Sequence, residues 1–198
     1  MTELCEIMKR WGSDKSTSHN YAQIYYLILS DLKDKNINLF EMGIGTNNPS
    51  LVSSMGVDGR PGASLRAWSE FFPNASIYSG DIDRDILFNE DKIKTTYCNQ
   101  LLPDAIHEMW KEFDVEFDVM IDDGLHTFEA NCCLLENSIH KLKEGGYYII
   151  EDILNYNIDK FNNMRSYYLN RFDLKRFDVI ELCHPDGRID NNIIIIKK

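Results

Sequence analysis

Two short apolar runs, each closed by acidic residues, constrain this chain more than any other feature. The first is Val119-Met120-Ile121, which runs into Asp122-Asp123-Gly124-Leu125-His126. The second is Tyr147-Tyr148-Ile149-Ile150, which runs into Glu151-Asp152. Apolar runs of this length, without polar alternation, read as strands buried on both faces of a parallel sheet. Ligands of such sheets bind outside the carboxyl ends of the strands. Neighbouring strands would therefore deliver Asp123, Glu151 and Asp152 to one edge, with His126 a turn away. Three carboxylates and an imidazole suit a hard divalent cation beside a general base. Either pair alone also reads as a helix cap or a solvated strand end; the two at equivalent positions favour a site.

The rest of the chain alternates strands with helices. Residues 1–35 read as helical with a break at Gly12-Ser13-Asp14, and Tyr21, Ile24, Tyr25, Leu27 and Ile28 recur at helical spacing. Strands are expected at 38–42, 76–80, 94–97, 117–121, 146–150, 177–182 and 192–196. Helices are expected from Ser64 (as N-cap) to Phe71, over 103–113, 127–142 and 162–171. Residues 43–62, rich in Gly, Asn, Pro and Ser, form a long loop, a class that is often functional. Pro185-Asp186-Gly187 is a turn, which makes the last two strands an antiparallel hairpin. The expected fold is α/β: a doubly wound, Rossmann-like sheet of about seven strands with a C-terminal antiparallel hairpin, preceded by N-terminal helices. A single domain over residues 1–198 is expected, with 1–35 as a helical cap on a core of 36–198.

Charge and cysteine usage narrow the function classes. A net charge of -11 disfavours a general nucleic-acid binder, whose phosphate contacts need a basic face. No apolar stretch approaches the roughly 20 residues that span a bilayer. The start, Met1-Thr2-Glu3-Leu4-Cys5, does not read as a signal peptide, and the 5 cysteines lack metal-type spacing, so reduced thiols and a cytoplasmic location are expected. Adjacent Cys132 and Cys133 read as one buried and one semi-exposed side chain on a helix.

A nucleoside-binding end is legible beside the first strand. Leu39-Phe40-Glu41-Met42-Gly43-Ile44-Gly45 is a strand entering a Gly-x-Gly turn, which lets backbone approach a ligand closely. A dinucleotide fingerprint would place a third glycine at Asn48, and no helix starts promptly there to seat a pyrophosphate. Asp81, ending the second strand, is positioned to accept hydrogen bonds from ribose hydroxyls. Taken alone, Asp81 reads as well as a helix cap and Glu41 as a strand-end charge; together they favour a nucleoside without a pyrophosphate, with S-adenosylmethionine as the natural candidate. Gln100 follows the third strand, where an adenine contact is often placed, and a surface role suits it equally.

Several segments together resemble a known family. Trp11-Gly12-Ser13-Asp14-Lys15 with His19-Asn20-Tyr21, Glu41-Met42-Gly43-Ile44-Gly45, Gly62-Ala63-Ser64-Leu65-Arg66-Ala67-Trp68, Phe72-Pro73-Asn74-Ala75, Asp122-Asp123-Gly124-Leu125-His126 and Gly145-Gly146-Tyr147-Tyr148-Ile149-Ile150-Glu151-Asp152 are similar to motifs of the class I methyltransferases. The likeness is greatest to the metal-dependent sugar O-methyltransferases of the macrolide type. Leu125 stands where that family has Ser. The resemblance implies Mg²⁺ on Asp123, Glu151 and Asp152, with His126 as base and Asp123 beside it in the catalytic centre. It also implies cofactor binding by Glu41, Gly43, Gly45, Ser64, Asp81, Gln100 and Asp122. Asp14, Lys15, His19 and Tyr21 become candidate substrate contacts, against a plain reading as a solvated cap with Tyr21 in the core. The macrolide enzymes carry a large additional N-terminal region used in assembly and pocket closure. Without it, the acceptor pocket is expected from residues 11–25 and the 46–62 loop, or from a partner subunit in a homo-oligomer. The expected partner is a small-molecule hydroxyl acceptor, a sugar or sugar nucleotide. A catechol or phenol acceptor, a nicotinamide-dependent oxidoreductase and a non-catalytic nucleoside-binding module are the rival readings. The glycine pattern disfavours the oxidoreductase, and the intact carboxylate cluster disfavours the binding module.

Overall fold

Alternation along the strands decides how the two faces of the sheet are covered. The computed structural model describes residues 1–198. Strands β1 (Asn38–Met42), β2 (Ser76–Asp81), β3 (Ile93–Tyr97), β4 (Phe117–Asp122), β5 (Leu142–Ile150), β6 (Arg176–Glu181) and β7 (Asn192–Lys197) form one sheet in the order β3-β2-β1-β4-β5-β7-β6. Neighbours from β3 to β5 are parallel; β7 pairs antiparallel with both β5 and β6. Leu39, Ile77, Val119, Ile121 and Ile149 face one side, and Phe40, Tyr78, Met120, Tyr148 and Ile150 the other. This two-residue period places half of each apolar strand in each core layer.

Helices α1 (Glu3–Trp11), α2 (Tyr21–Leu29) and α3 (Ala63–Phe71) cover the first side. Helices α4 (Pro103–Glu112), α5 (Phe128–Ser138) and α6 (Ile158–Arg171) cover the second. That is the doubly wound arrangement expected from the sequence. The β6–β7 hairpin also forms as expected, with β7 seated inside the sheet and β6 at its edge. No helix is long and apolar enough to cross a membrane.

Four local readings change. The N-cap of α3 is Gly62 in a left-handed conformation, and Ser64 lies inside the first turn with its hydroxyl turned to Glu41. β5 begins at Leu142 rather than at 146, with a register shift against β4 that absorbs Gly145-Gly146. α6 begins at Ile158, four residues before the expected start at 162. Cys132 and Cys133 are both half-buried.

Strand order reverses between β1 and β4, and the crevice at such a switch point is where ligands bind in open α/β sheets. An aromatic cluster anchors that region from below: the Phe40 ring lies 4.7 Å from Trp110 and 5.7 Å from Phe117, and Tyr78 lies 5.4 Å from Phe117. Phe117 is fully buried, so Phe117→Ala removes a ring from a close-packed layer. Urea denaturation should report a loss of about 3–5 kcal/mol, with Phe117→Leu costing clearly less.

Candidate active site

The turn after β1 sets the floor of the site. Gly43 has φ 97°, and a Cβ there would lie 2.1 Å from the Asp123 carbonyl oxygen, so only glycine lets the β1 and β4 ends approach this closely. The Ile44 amide donates to Asp81 Oδ2 at 2.7 Å, and the Asp83 amide donates to Asp81 Oδ1 at 2.8 Å. Asp81 thus locks the glycine turn to the end of β2. Burial, partly offset by these amides, raises its pKa above the usual carboxylate value.

Above this floor lies a cavity of about 390 Å³, within the roughly 300–1,000 Å³ typical of small-molecule sites. Of the expected residues, Gly43, Gly45, Ser64, Asp81, Gln100, Asp123, His126, Asp152, Asp14 and Lys15 line it. Only 8 of its 27 lining residues are hydrophobic, and none is Phe, Tyr or Trp.

Five expected residues do not line the cavity; they support those that do. Glu41 is fully buried and accepts from Ser64 Oγ at 2.5 Å and from the Trp68 indole N–H. Those two bonds make it the anchor of α3. Asp122 is likewise fully buried, accepting from Gln100 Nε2 at 2.6 Å and Asn131 Nδ2 at 2.9 Å. Burial pushes its pKa up to about 6 against those hydrogen bonds. Its effect on the cavity passes through Gln100, whose Oε1 accepts from the Leu125 amide at 3.0 Å. Tyr21 is buried and donates to Asp152 Oδ1 at 2.8 Å. The His19 ring stacks on Tyr21 at 4.8 Å, with Nδ1 3.2 Å from Asn191 Oδ1. Both therefore position Asp152 from behind instead of facing an acceptor.

The fifth is Glu151, and it explains Lys15. Lys15 Nζ lies 2.5 Å from Asp123 Oδ2, 2.5 Å from Glu151 Oε2 and 3.6 Å from Glu41 Oε1, with its side chain 1% exposed. Tyr25 donates to the other Glu151 oxygen. Burial alone would deprotonate Lys15, but Asp123, Glu151 and Glu41 outweigh it and hold the ammonium charged. Lys15, expected as a substrate contact, is thus an internal cation tying the N-terminal segment to three strand ends, and both Glu151 oxygens are engaged, by Lys15 and Tyr25. The group whose ligand atoms converge, all within 4.8 Å of one another, is Asp123, His126 and Asp152.

The His126 imidazole bridges the two acids, with Nε2 3.2 Å from Asp123 Oδ1 and Nδ1 3.5 Å from Asp152 Oδ2. Both His126 (φ 59°) and Asp152 (φ 54°) adopt left-handed backbone, which few non-glycine residues do and which clusters at functional sites. Burial alone would lower the His126 pKa; the Asp123 hydrogen bond and the Asp152 and Asp123 charges outweigh it and raise the pKa to about 10. Burial pushes Glu151 and Asp152 up, against Lys15 and His126 respectively. Three carboxylates, Glu41, Asp123 and Glu151, lie around Lys15, and Asp152 faces His126, an oxygen-rich donor set of the kind that suits a hard cation.

Sequence reasoning missed several wall residues. Ile82 and Leu101 are apolar yet 41% and 45% exposed, flanking the cavity just after Asp81 and Gln100. Their position one residue past those strand-end polar groups was the available signal. Asn191 and Asn192, which hold the Asp152 loop through His19 and the Ile153 carbonyl, gave none, because they arrive from a strand added late in the chain.

No protein-family model matches the chain. The MycE methyltransferase from the mycinamycin biosynthetic pathway, solved in complex with Mg, SAH and mycinamycin VI, superposes with a TM-score of 0.75 at 20% identity. That match covers 99% of this chain and 54% of MycE. The fold is that of the class I methyltransferases. In sequence the chain resembles the macrolide-sugar O-methyltransferases. It is 30% identical to the demethylmacrocin O-methyltransferase of Streptomyces fradiae over 73% of this chain and 33% of that protein. It is 25% identical to the 8-demethyl-8-alpha-L-rhamnosyl tetracenomycin-C 2'-O-methyltransferase of Streptomyces olivaceus, over 76% of this chain and 37% of that one. The aligned part thus spans little more than a third of either curated relative.

The charge balance makes a pH prediction. His126 has a folded pKa of about 10 against about 6.5 unfolded. Its stabilising contribution is therefore complete below about pH 6.5 and is lost as pH rises toward 10. Thermal unfolding without divalent cation should show Tm falling across that window, and His126→Ala should flatten the slope. Equal slopes in the two proteins would refute this charge assignment.

Proposed function

We propose that this chain transfers a methyl group from S-adenosylmethionine to a hydroxyl of a sugar or sugar-derived small molecule, with assistance from Mg²⁺. The observation that carries this reading is one cavity at the switch point that joins two kinds of wall. One end holds the glycine turn and Asp81, suited to a nucleoside. The other holds Asp123, His126 and Asp152, suited to a hydroxyl. The similarity to O-methyltransferases named for glycosylated natural products supports the same acceptor class. A catechol acceptor calls for an aromatic-lined wall, whereas no Phe, Tyr or Trp lines this one.

The protein's task follows from the chemistry of the donor. A sulfonium is already a good leaving group, so what remains is to hold an oxygen in line with the methyl carbon and to remove its proton. Asp81 and Gln100 are placed to hold ribose and base edge, and Ile82 and Leu101 to pack against the base. Asp123 and Asp152 are the residues that would hold the cation, with Glu151 behind Lys15 fixing the orientation of Asp123. When bound, a divalent cation there acidifies and orients a sugar hydroxyl. A cation held by Asp123 and Asp152 would draw on the charge that holds the imidazolium and would leave His126 nearer the neutral form that a base requires. Its Nε2 then accepts the hydroxyl proton as the oxygen attacks the methyl carbon and the carbon–sulfur bond breaks.

Calorimetric titration with S-adenosylmethionine and S-adenosylhomocysteine, with and without Mg²⁺, should give binding of both; no binding by folded protein would overturn the cofactor. His126→Ala should keep that binding while losing on the order of 10²–10⁴ in turnover of a sugar acceptor; undiminished turnover removes His126 as base. EDTA should abolish turnover and added Mg²⁺ restore it, and indifference to EDTA removes the metal.

A further inference from the structure

The cavity wall carries two permanently charged cationic side chains, Lys15 and Arg60. Lys15 is already neutralised by Asp123 and Glu151. Arg60 is not: six of the chain's arginines form ion pairs with carboxylates, and Arg84 lies over the Tyr97 ring, 3.6 Å from its centroid. Arg60 has neither kind of partner. Arg60 is exposed and lines the cavity, so its guanidinium is open to a ligand that enters it.

Its position is defined. The backbone next to Arg60 is pinned to the glycine turn, with the Gly62 amide donating to the Ile44 carbonyl at 2.8 Å. Its side chain lies across Gly12: a Cβ there would come within 2.8 Å of Arg60 Cδ and 3.3 Å of Nε. The missing Gly12 side chain is therefore the space the Arg60 stem occupies. Its neighbours Gly12, Ile44 and Ala63 line the cavity too, so Arg60 belongs to the part of the wall beside the glycine turn, which the amino-acid portion of the proposed cofactor would follow.

We infer that Arg60 is the cation that binds the carboxylate of the cofactor's amino-acid tail. This rests on the cofactor reading above and adds a residue to it. The tail carries a carboxylate beside an ammonium; the wall already bears Asp14, Asp81, Asp123 and Asp152, which suit the ammonium, whereas the carboxylate needs a cation of its own. Lys15 cannot serve, because its donors are committed to acids that would be left bare. A guanidinium matches a carboxylate through two parallel N–H···O bonds, a geometry an ammonium lacks.

The test compares S-adenosylhomocysteine with 5′-methylthioadenosine, which keeps the nucleoside and thioether but has no amino-acid tail. Wild-type chain, Arg60→Ala and Arg60→Lys are titrated calorimetrically with each. Arg60→Ala should weaken S-adenosylhomocysteine binding by about 10–100-fold and leave 5′-methylthioadenosine unchanged, with Arg60→Lys intermediate. Unchanged S-adenosylhomocysteine affinity in Arg60→Ala overturns the inference and leaves Arg60 free for an anionic acceptor. Equal weakening of both ligands also overturns it, since it points to a structural role. Binding of neither ligand by the wild-type chain overturns the cofactor reading itself, an outcome distinct from the other two.

Discussion

A buried ammonium holds the site together. Lys15 reaches from the segment between α1 and α2 to Glu41 on β1, Asp123 after β4 and Glu151 after β5. Each of those carboxylates sits at the carboxyl end of a central strand, where parallel topology puts ligand-binding groups. Three acids converging without a cation would repel one another and remain desolvated, a cost of several kcal/mol per ion. The N-terminal helices are thus bound to the sheet by charge as well as by apolar packing, and the geometry of the acidic edge depends on where Lys15 ends.

The neighbouring contacts extend this arrangement in two directions. Tyr25 secures Glu151, while Ser64 and Trp68 secure Glu41, so α2 and α3 both report to the same acids. Tyr21 secures Asp152 from the opposite side and shares its hydroxyl with the Asp190 carbonyl. What remains facing the cavity is the pair Asp123 and Asp152 with His126 between them. The division is physical: Glu41 and Glu151 have internal partners alone, whereas Asp123 and Asp152 each combine an internal partner, Lys15 or Tyr21, with the imidazole of His126.

Much of the fold was legible because its causes are local. Apolar runs bounded by turn residues located seven strands, and the Pro-Asp-Gly turn identified the hairpin. Errors fell at element ends, where a cap depends on tertiary partners. Ser64 has the chemistry of an N-cap, yet its hydroxyl goes to Glu41, because a buried carboxylate is a stronger acceptor demand than an exposed helix start. β5 begins early because its partner β4 can pair with Leu142 across the Gly145-Gly146 irregularity, and pairing of that kind leaves no trace in periodicity.

The same split governs the site. The sequence by itself determined which strand ends carry Asp81, Asp123, His126, Glu151 and Asp152, since a strand's direction and its terminating residues are written consecutively. It also determined that the glycine turn would accompany them. Only the tertiary structure decided which of these acids face solvent-accessible space and which are turned inward. Lys15, Tyr21 and Tyr25 come from more than 100 residues earlier in the chain than Asp123, Glu151 and Asp152, which they bind. Whether an acid is a ligand or a support depends on which positive or donating group reaches it first. That is settled by how helices pack across the sheet, a long-range outcome that no local pattern encodes.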